Sequence, residues 1–217
     1  MPPELRLIED FMTDKGAITL RAQPRMLYVV RGAITLGPRT LRAGDVTYSD
    51  ETVSAHAEEA GAIVWRWELA DPRQAIAKSN SASVSSRDKL ITPLATLPAG
   101  ELLWRGDSVA FPPGGCAYPH RHQGPGIRCL IEGGIRIDTA GRATSYGPGG
   151  AWFESGPEPV FAQAAQRPSR FIRVMILPRA LLGKSSLQLV DPADAAKPRA
   201  QQYQIFADAP IARPAGY

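Results

Sequence analysis

The sequence predicts an all-β protein, either a sandwich or a barrel, from three observations. Short runs rich in Val, Ile, Leu, Phe and Trp are separated by turn-forming residues, since glycine and proline number 20 each. Helical periodicity is weak, and short helices are expected only near 70–78 and 178–183. The third observation is an internal repeat of strand-like segments. The clearest apolar runs are RMLYVVRG (25–32), GAIVWRWEL (61–69), GIRCLIEGG (126–134), GAWFE (150–154) and RFIRVMILP (170–178).

The repeat divides the chain into two similar β domains. The first half reads LYVVRGAITL, LRAGDVTYSDETVSAHAE and GAIVWRWEL, and the second half reads RCLIEGGIRI, SYGPGGAWFESGPEPVFAQAA and RFIRVMILP in the same order. We therefore expect a first domain over 1–75, a Ser-rich linker over 76–87 and a second domain over 88–180. Residues 181–217 are expected to pack on these domains, with QQYQIF (201–206) as a strand of one sheet.

Composition and charge indicate an ordinary soluble globular protein. Hydrophobic residues make up 44% of the 217 residues and charged residues 21%. The net charge is +4, but the basic residues are scattered, so the sequence does not indicate a nucleic-acid-binding surface. We find no signal peptide and no apolar run long enough to span a bilayer, so we expect a cytoplasmic protein without membrane contact. Cys116 and Cys129 are expected to be reduced and buried.

A histidine pair with a regular glycine frame is the most informative motif. Two of the chain's three histidines, His120 and His122, stand one residue apart in GGCAYPHRHQGPGIRCLIEGG (114–134). Gly114, His120, His122 and Gly133 match the spacing of the first motif of the cupin superfamily, G-x5-H-x-H-x3,4-E-x6-G, and Gly126 stands where the glutamate belongs. The chain thus resembles a cupin with one substituted ligand.

The second cupin motif, P-G-x5-P-x-G-x2-H-x3-N, is matched only at its start by Pro148 and Gly149. The positions of its later Pro, Gly, His and Asn are taken by Ser155, Pro157, Val160 and Ala164. Together with the repeat, the resemblance implies two tandem cupin-type jelly-roll barrels and a cavity in the second barrel. It also implies a divalent metal ion such as Fe, Mn, Ni or Zn.

Two interpretations of the histidine pair remain open. Residues i and i+2 of a strand face the same side, so His120 and His122 can share one ion. Glu154, at the end of a following strand, would complete a 2-His-1-carboxylate set. Alternatively, the imidazoles bind substrate directly, or act as acid or base without metal. Cys116 is a further candidate thiolate, although a buried apolar role is the alternative.

Several other side chains are candidates for the same cavity. Arg128 is expected to orient a substrate carboxylate or to pair with Glu154, and both are candidate catalytic residues; a register in which Arg128 faces solvent is the alternative. Tyr118, Trp152 and Gln163 are candidate substrate-binding residues. Because Trp152 and Phe153 alternate on one strand, only one of them faces inward; Arg173 is a weaker candidate on the last strand.

The first domain lacks the motif. Thr19, Arg21 and Arg25 stand at the positions of the two histidines and the glutamate, and His56 is the only histidine nearby. We therefore expect a metal-free structural domain, and a homodimer that buries its edge strands.

These observations leave two functional hypotheses of different classes. The first is a metal-dependent enzyme of dioxygenase, isomerase or lyase type that acts on a small anionic substrate. The second is a metabolite-binding or sensing protein without catalysis. A structural dimer with a vestigial pocket is a further interpretation. Because one fold supports many chemistries, fold alone does not decide between them.

Overall fold

A computed structural model of the chain describes residues 1–79 and 81–214. The described residues form β-strands joined by turns, with two short 3₁₀ segments at Arg179–Leu181 and Pro192–Ala196. None of their helical segments is long and apolar enough to cross a membrane. The strands are β1 (Glu4–Met12), β2 (Ala17–Leu20), β3 (Arg25–Leu36), β4 (Arg39–Arg42), β5 (Val46–Ser49), β6 (Val53–Ala70), β7 (Val84–Pro93), β8 (Leu102–Phe111), β9 (Cys116–His122), β10 (Gly126–Glu132), β11 (Ile135–Thr139), β12 (Arg142–Tyr146), β13 (Ala151–Glu154), β14 (Val160–Ala164), β15 (Ser169–Pro178), β16 (Leu187–Leu189) and β17 (Gln202–Ile211).

The first compact unit spans Met1–Ala95. Its strands form one antiparallel sheet in the order β4-β3-β6-β1-β7, while β2 pairs with β6 and β5 with β3. These strands enclose an apolar core. That core contains Met12, Leu20, Leu27, Val29, Ile34, Leu41, Val64 and Val84.

The second compact unit begins at Thr96. It has two five-stranded antiparallel sheets, with the orders β13-β10-β15-β8-β17 and β12-β11-β14-β9-β16. Both sheets contribute alternate residues to a shared core, as in a jelly-roll barrel. The core contains Val109, Phe111, Ala117, Leu130, Ile135, Ile137, Trp152, Val160, Ala162, Ala164 and Phe171.

The boundary between the units differs from the expected one. Strand β7 pairs with β1 over its whole length, although the sequence placed its residues in the linker (76–87) and at the start of the second domain. The Ser-rich composition concealed this strand because it lies at the sheet edge, where polar residues are favourable. The helix expected near 70–78 is absent there, whereas a 3₁₀ turn lies within 178–183.

The predicted repeat and the predicted tail strand are both observed. QQYQIF lies mostly in β17, which pairs with β8. Equivalent glycines occur in the two units, Gly32 at an irregularity within β3 and Gly133 directly after β10, and their φ values are +75° and +82°. A side chain at either glycine would collide with the carbonyl oxygen of Gly61 or Pro168. Both positions therefore require glycine for the same reason.

Candidate functional site

A buried cavity in the second unit contains most of the candidate residues. Its free volume is about 20 Å³, which is room for roughly one water molecule. Apolar side chains of both sheets form most of its wall, and charged or polar groups form the rest. The polar residues that line it are His120, His122, Arg128, Glu154, Arg173 and Tyr203.

The histidine pair lies on β9 and points into the cavity. Both imidazoles are buried, and their ring centroids are 4.9 Å apart. On the neighbouring strand β14, Val160 pairs with His120 and Ala162 pairs with Ala117, so two β9 residues oppose one β14 residue between these pairs. This β-bulge places Ala117 on the same face as the histidines.

The bulge also turns two predicted cavity residues away. Tyr118 and Cys116 are half-buried and do not line the cavity, because the simple alternation assumed for β9 is interrupted beside Pro119. The ring of Tyr118 instead packs under the Lys197 ammonium, at 4.8 Å. Gln163 does not line the cavity either: its Nε2 donates to the carbonyl of Gly114 at 2.6 Å, and a role in substrate binding stays a prediction.

Hydrogen bonds fix the tautomers of both histidines. Nδ1 of His120 lies 2.7 Å from the carbonyl oxygen of Tyr118, which can only accept, so this nitrogen carries the proton. Nε2 of His122 lies 3.4 Å from Nη1 of Arg173, which can only donate. Nδ1 of His122 then donates to Ser186 Oγ at 3.3 Å. In the neutral state each imidazole therefore keeps its lone pair on Nε2.

Arg128 lies inside the barrel and pairs with Glu154. Its Nη2 is 2.7 Å from Glu154 Oε2, and its Nη1 donates to the carbonyl of Gly126 at 2.7 Å. Glu154 Oε1 accepts a hydrogen bond of 2.8 Å from Nε1 of Trp152. Of the two alternating aromatic residues, Trp152 is therefore the inward one, and Phe153 lies on the other face.

A second buried ion pair lies at the cavity, between Arg173, which lines it, and Asp107. Nε and Nη2 of Arg173 donate to the two carboxylate oxygens of Asp107 at 2.9 and 2.7 Å. Burial opposes the charge of Arg173, but Asp107 raises the pKa of the guanidinium above its ordinary value. Sequence reasoning missed Asp107, although charged residues within the apolar run LLWRGDSVAF (102–111) are a usable signal of a buried ion pair.

The electrostatic environment keeps both imidazoles neutral. Burial lowers the pKa of His120 below its ordinary 6.5. For His122, burial and then the nearby cations Arg173 and Arg128 lower the pKa well below 6.5. Burial also lowers the pKa of Arg128 to about 10, in spite of Glu154. The site thus combines paired guanidinium and carboxylate groups with two neutral imidazoles.

The donor set as arranged does not fit a divalent metal ion. Within residues 1–79 and 81–214, no group of three His, Cys, Asp or Glu side chains has the geometry to hold one. His122 Nε2 and Glu154 Oε2 are 3.6 Å apart, but a guanidinium nitrogen lies beside each of them: Arg173 at 3.4 Å from the first and Arg128 at 2.7 Å from the second. A metal would have to enter beside two cations and displace Arg128 from Glu154.

The corresponding residues of the first unit have other roles. Thr19 and Arg21 are exposed, and Thr19 Oγ1 lies 2.9 Å from Ser54 Oγ. Arg25 is buried and its Nε lies 3.6 Å from Glu68 Oε1. His56 is exposed on β6.

The comparisons with known structures show a cupin-type fold. The chain is similar to oxalate decarboxylase from Bacillus subtilis (TM-score 0.59, 13% identity, 91% of this chain and 73% of that chain). It is also similar to AerE from Microcystis aeruginosa (TM-score 0.57, 13% identity, 82% and 89%) and to a cupin 2 conserved barrel domain protein from Leptotrichia buccalis (TM-score 0.51, 12% identity, 81% and 85%). No protein-family profile matches the sequence, and no curated protein sequence matches it. The prediction of tandem jelly-roll barrels of cupin type is confirmed.

Proposed function

We propose that the second barrel binds the carboxylate group of a small organic anion at Arg128. The surroundings of this residue carry the proposal. Its guanidinium is buried, and the contact between its Nη2 and Glu154 Oε2 lacks hydrogen-bond geometry. Because burial lowers the pKa of Arg128 to about 10, the cation is incompletely compensated by Glu154. An additional anionic group within reach of this guanidinium would stabilise it.

The two imidazoles suit the same ligand. Both are neutral and carry a lone pair on Nε2, so each can take up a proton when an anion lies next to it. An approaching carboxylate favours the charged form of His120 and His122 and converts them into donors. Binding is therefore coupled to proton uptake. The cavity of about 20 Å³ admits only a small head group, and a lining side chain must move for this to happen.

A metal-dependent enzyme of dioxygenase, isomerase or lyase type is the second candidate. The observation that favours it is the convergence of His120, His122 and Glu154 on one cavity. Structural similarity to oxalate decarboxylase supports an acidic substrate for either candidate. The pairing of Arg128 with Glu154 favours anion binding over metal binding, and therefore places the binding function first.

Calorimetric titration of metal-free protein with formate, acetate and oxalate tests the proposal. We expect saturable binding of at least one anion by the wild-type protein, with uptake of protons that is visible as a dependence of the heat on the buffer. Arg128→Met should abolish it, whereas the same substitution at the exposed Arg142 should not. Thermal unfolding establishes that both variants are folded.

The outcomes separate the two candidates. No binding of any of the three anions, or equal binding by Arg128→Met, would overturn the binding proposal. Elemental analysis supports the enzyme candidate if untagged protein holds about one equivalent of metal that is lost in the His120→Ala/His122→Ala double variant. The expected homodimer and cytoplasmic location stay predictions.

A further inference from the structure

An open cleft lies next to the buried cavity and shares one wall with it. The cleft has a volume of about 350 Å³, within the range of small-molecule sites. His122 belongs to the lining of both spaces, and the other cleft residues lie outside the cavity. The cleft is lined by Thr96, Leu97, Pro98, Arg121, His122, Gln123, Gly124, Pro125, Ser155, Pro157 and Gln188.

His122 is the residue common to the cleft and the cavity, and the polar contacts of its buried imidazole are long. Its polar contacts, with Ser186, Arg173 and Glu154, measure 3.3, 3.4 and 3.6 Å, at or beyond the outer limit of a hydrogen bond. The neighbouring His120, in contrast, is anchored to a carbonyl oxygen at 2.7 Å. Rotation of the His122 imidazole would therefore break no short hydrogen bond, and we take this rotation as the connection between the cleft and the cavity.

The chemistry of the cleft favours a second anionic group. None of its described lining residues is acidic, and Arg121 contributes an exposed cation. Within the described part of the chain, Arg121 has no ion pair with an Asp or Glu side chain. Gln188 lies opposite Arg121 in the register of β16 and β9, so that an amide and a guanidinium stand side by side along the cleft.

We propose that the cleft receives the body of an elongated dicarboxylate while one carboxylate passes His122 and binds at Arg128. The proposal rests on the proposed function, because it extends the same site outward. It explains how a cavity with room for about one water molecule serves a larger ligand. The inner carboxylate is held by Arg128, and the outer one lies near Arg121 and Gln188. The class of ligand is therefore an organic diacid with a short chain between its acid groups.

A matched pair of ligands tests the outer contact. Glutarate and pentanoate have the same carbon chain length, but only glutarate carries a second carboxylate. We expect glutarate to bind metal-free protein about fivefold more tightly than pentanoate, as is reasonable for one solvent-exposed ion pair. Arg121→Gln should remove most of this preference, and the matched exposed substitution Arg142→Gln should preserve it.

A separate variant tests whether ligands enter the cavity through the cleft. Ser155→Trp places a large side chain in the cleft, so we expect it to slow the association of formate at least tenfold in stopped-flow fluorescence. An unchanged rate in a folded variant overturns entry through the cleft. The proposed binding of a dicarboxylate is overturned if glutarate and pentanoate bind with equal affinity. It is also overturned if Arg121→Gln does not reduce the preference for glutarate. If the wild-type protein still binds formate, either of these results leaves the proposed function intact. If the wild-type protein binds none of formate, acetate and oxalate, both the proposed function and the dicarboxylate proposal are overturned.

Discussion

The two barrels place different side chains at equivalent interior positions. In the first barrel Leu27 pairs with Arg66, and in the second Arg128 pairs with Arg173. The positions are equivalent because Leu27 precedes Gly32 by the same number of residues as Arg128 precedes Gly133. Each barrel thus keeps a buried arginine at this position, Arg66 on β6 in the first and Arg173 on β15 in the second. Both barrels also have a second buried arginine on the neighbouring strand, Arg25 in the first and Arg128 in the second. The second barrel differs by the histidine pair on β9.

The surroundings of the shared arginine also differ. In the first barrel Arg66 binds the Asp10 carboxylate (2.6 Å), the Glu68 carboxylate (2.7 Å) and the carbonyl oxygen of Ala77. Ser86 Oγ donates to the same Asp10 carboxylate at 2.6 Å. In the second barrel the equivalent arginine has one bidentate carboxylate, and its remaining nitrogen faces an imidazole lone pair. In both barrels one arginine nitrogen and one carboxylate oxygen lack hydrogen-bond geometry, Arg25 and Glu68 in the first and Arg128 and Glu154 in the second. What distinguishes the second barrel is the pair of neutral imidazoles beside its ion pairs.

The largest effect is expected for the ion network of the first barrel. Arg66→Met leaves the carboxylates of Asp10 and Glu68 buried without their main partner. Removing one member of a buried pair costs about 3–5 kcal/mol, and we expect the upper part of that range. Urea unfolding measures the loss of unfolding free energy. Arg136→Met, which breaks an exposed pair with Asp138, is the control and should change it little.

A somewhat smaller loss, about 3 kcal/mol, is expected for Glu154→Ala in the second barrel, because Arg128 then lacks its carboxylate. This loss should be recovered in part by added formate, which can take the place of the missing carboxylate. Asp10→Ala in the first barrel should show a similar loss without recovery. Thermal unfolding with and without formate gives the result, and equal recovery of both variants contradicts the difference drawn between the barrels.

The histidine pair makes the second barrel sensitive to acid. Because the folded-state pKa values of His120 and His122 lie below the ordinary 6.5, protonation favours the unfolded chain. Stability contributed by the neutral imidazoles is present above pH 6.5 and is lost as the pH falls below it, by about 1.4 kcal/mol per pH unit for each histidine that stays neutral.

The His120→Gln/His122→Gln double variant should flatten the decline in unfolding free energy between pH 6.5 and pH 5. His56, which is exposed in the first barrel, supplies the control variant His56→Gln. An equally steep decline in the double variant would contradict the neutral state of the pair.

The smallest effect is expected for the indole hydrogen bonds. Trp152→Phe removes the donor to Glu154 Oε1 and leaves a buried carboxylate oxygen unsatisfied, at a cost of about 1–2 kcal/mol. Trp65→Phe in the first barrel removes a similar bond to Glu9, but Arg87 and Lys89 also contact that carboxylate. Urea unfolding should therefore show a smaller loss for Trp65→Phe. The reverse order would show that Glu154 does not depend on Trp152.

Patterns with a fixed period made the fold predictable. The repeat located both barrels, and the spacing of His120 and His122 required only the two-residue period of a strand. The bulge beside Pro119 has no such period, and for that reason Tyr118 was assigned to the cavity. The Ser-rich strand β7 was missed because an edge strand does not need the apolar alternation by which strands are recognised.

The sequence indicated several of the residues that line the site, but not which of them form ion pairs with one another. Arg128 was expected either to receive a ligand carboxylate or to pair with Glu154, and only three-dimensional geometry selects the pair. Asp107 and Arg173 are distant in sequence, and their contact depends on the register of β8 and β15. Sequence spacing carries no information about such a register.

Imidazole NMR of metal-free protein tests the central claim most directly, because the chain has only three histidines. Formate is titrated into protein labelled at the imidazole nitrogens, at pH 7. We expect the signals of His120 and His122 to shift toward the protonated form and the signal of His56 to stay unchanged. Arg128→Met should abolish the shifts. Anion binding at Arg128 would be contradicted if the signals of His120 and His122 do not move with formate but change when a divalent metal ion is added.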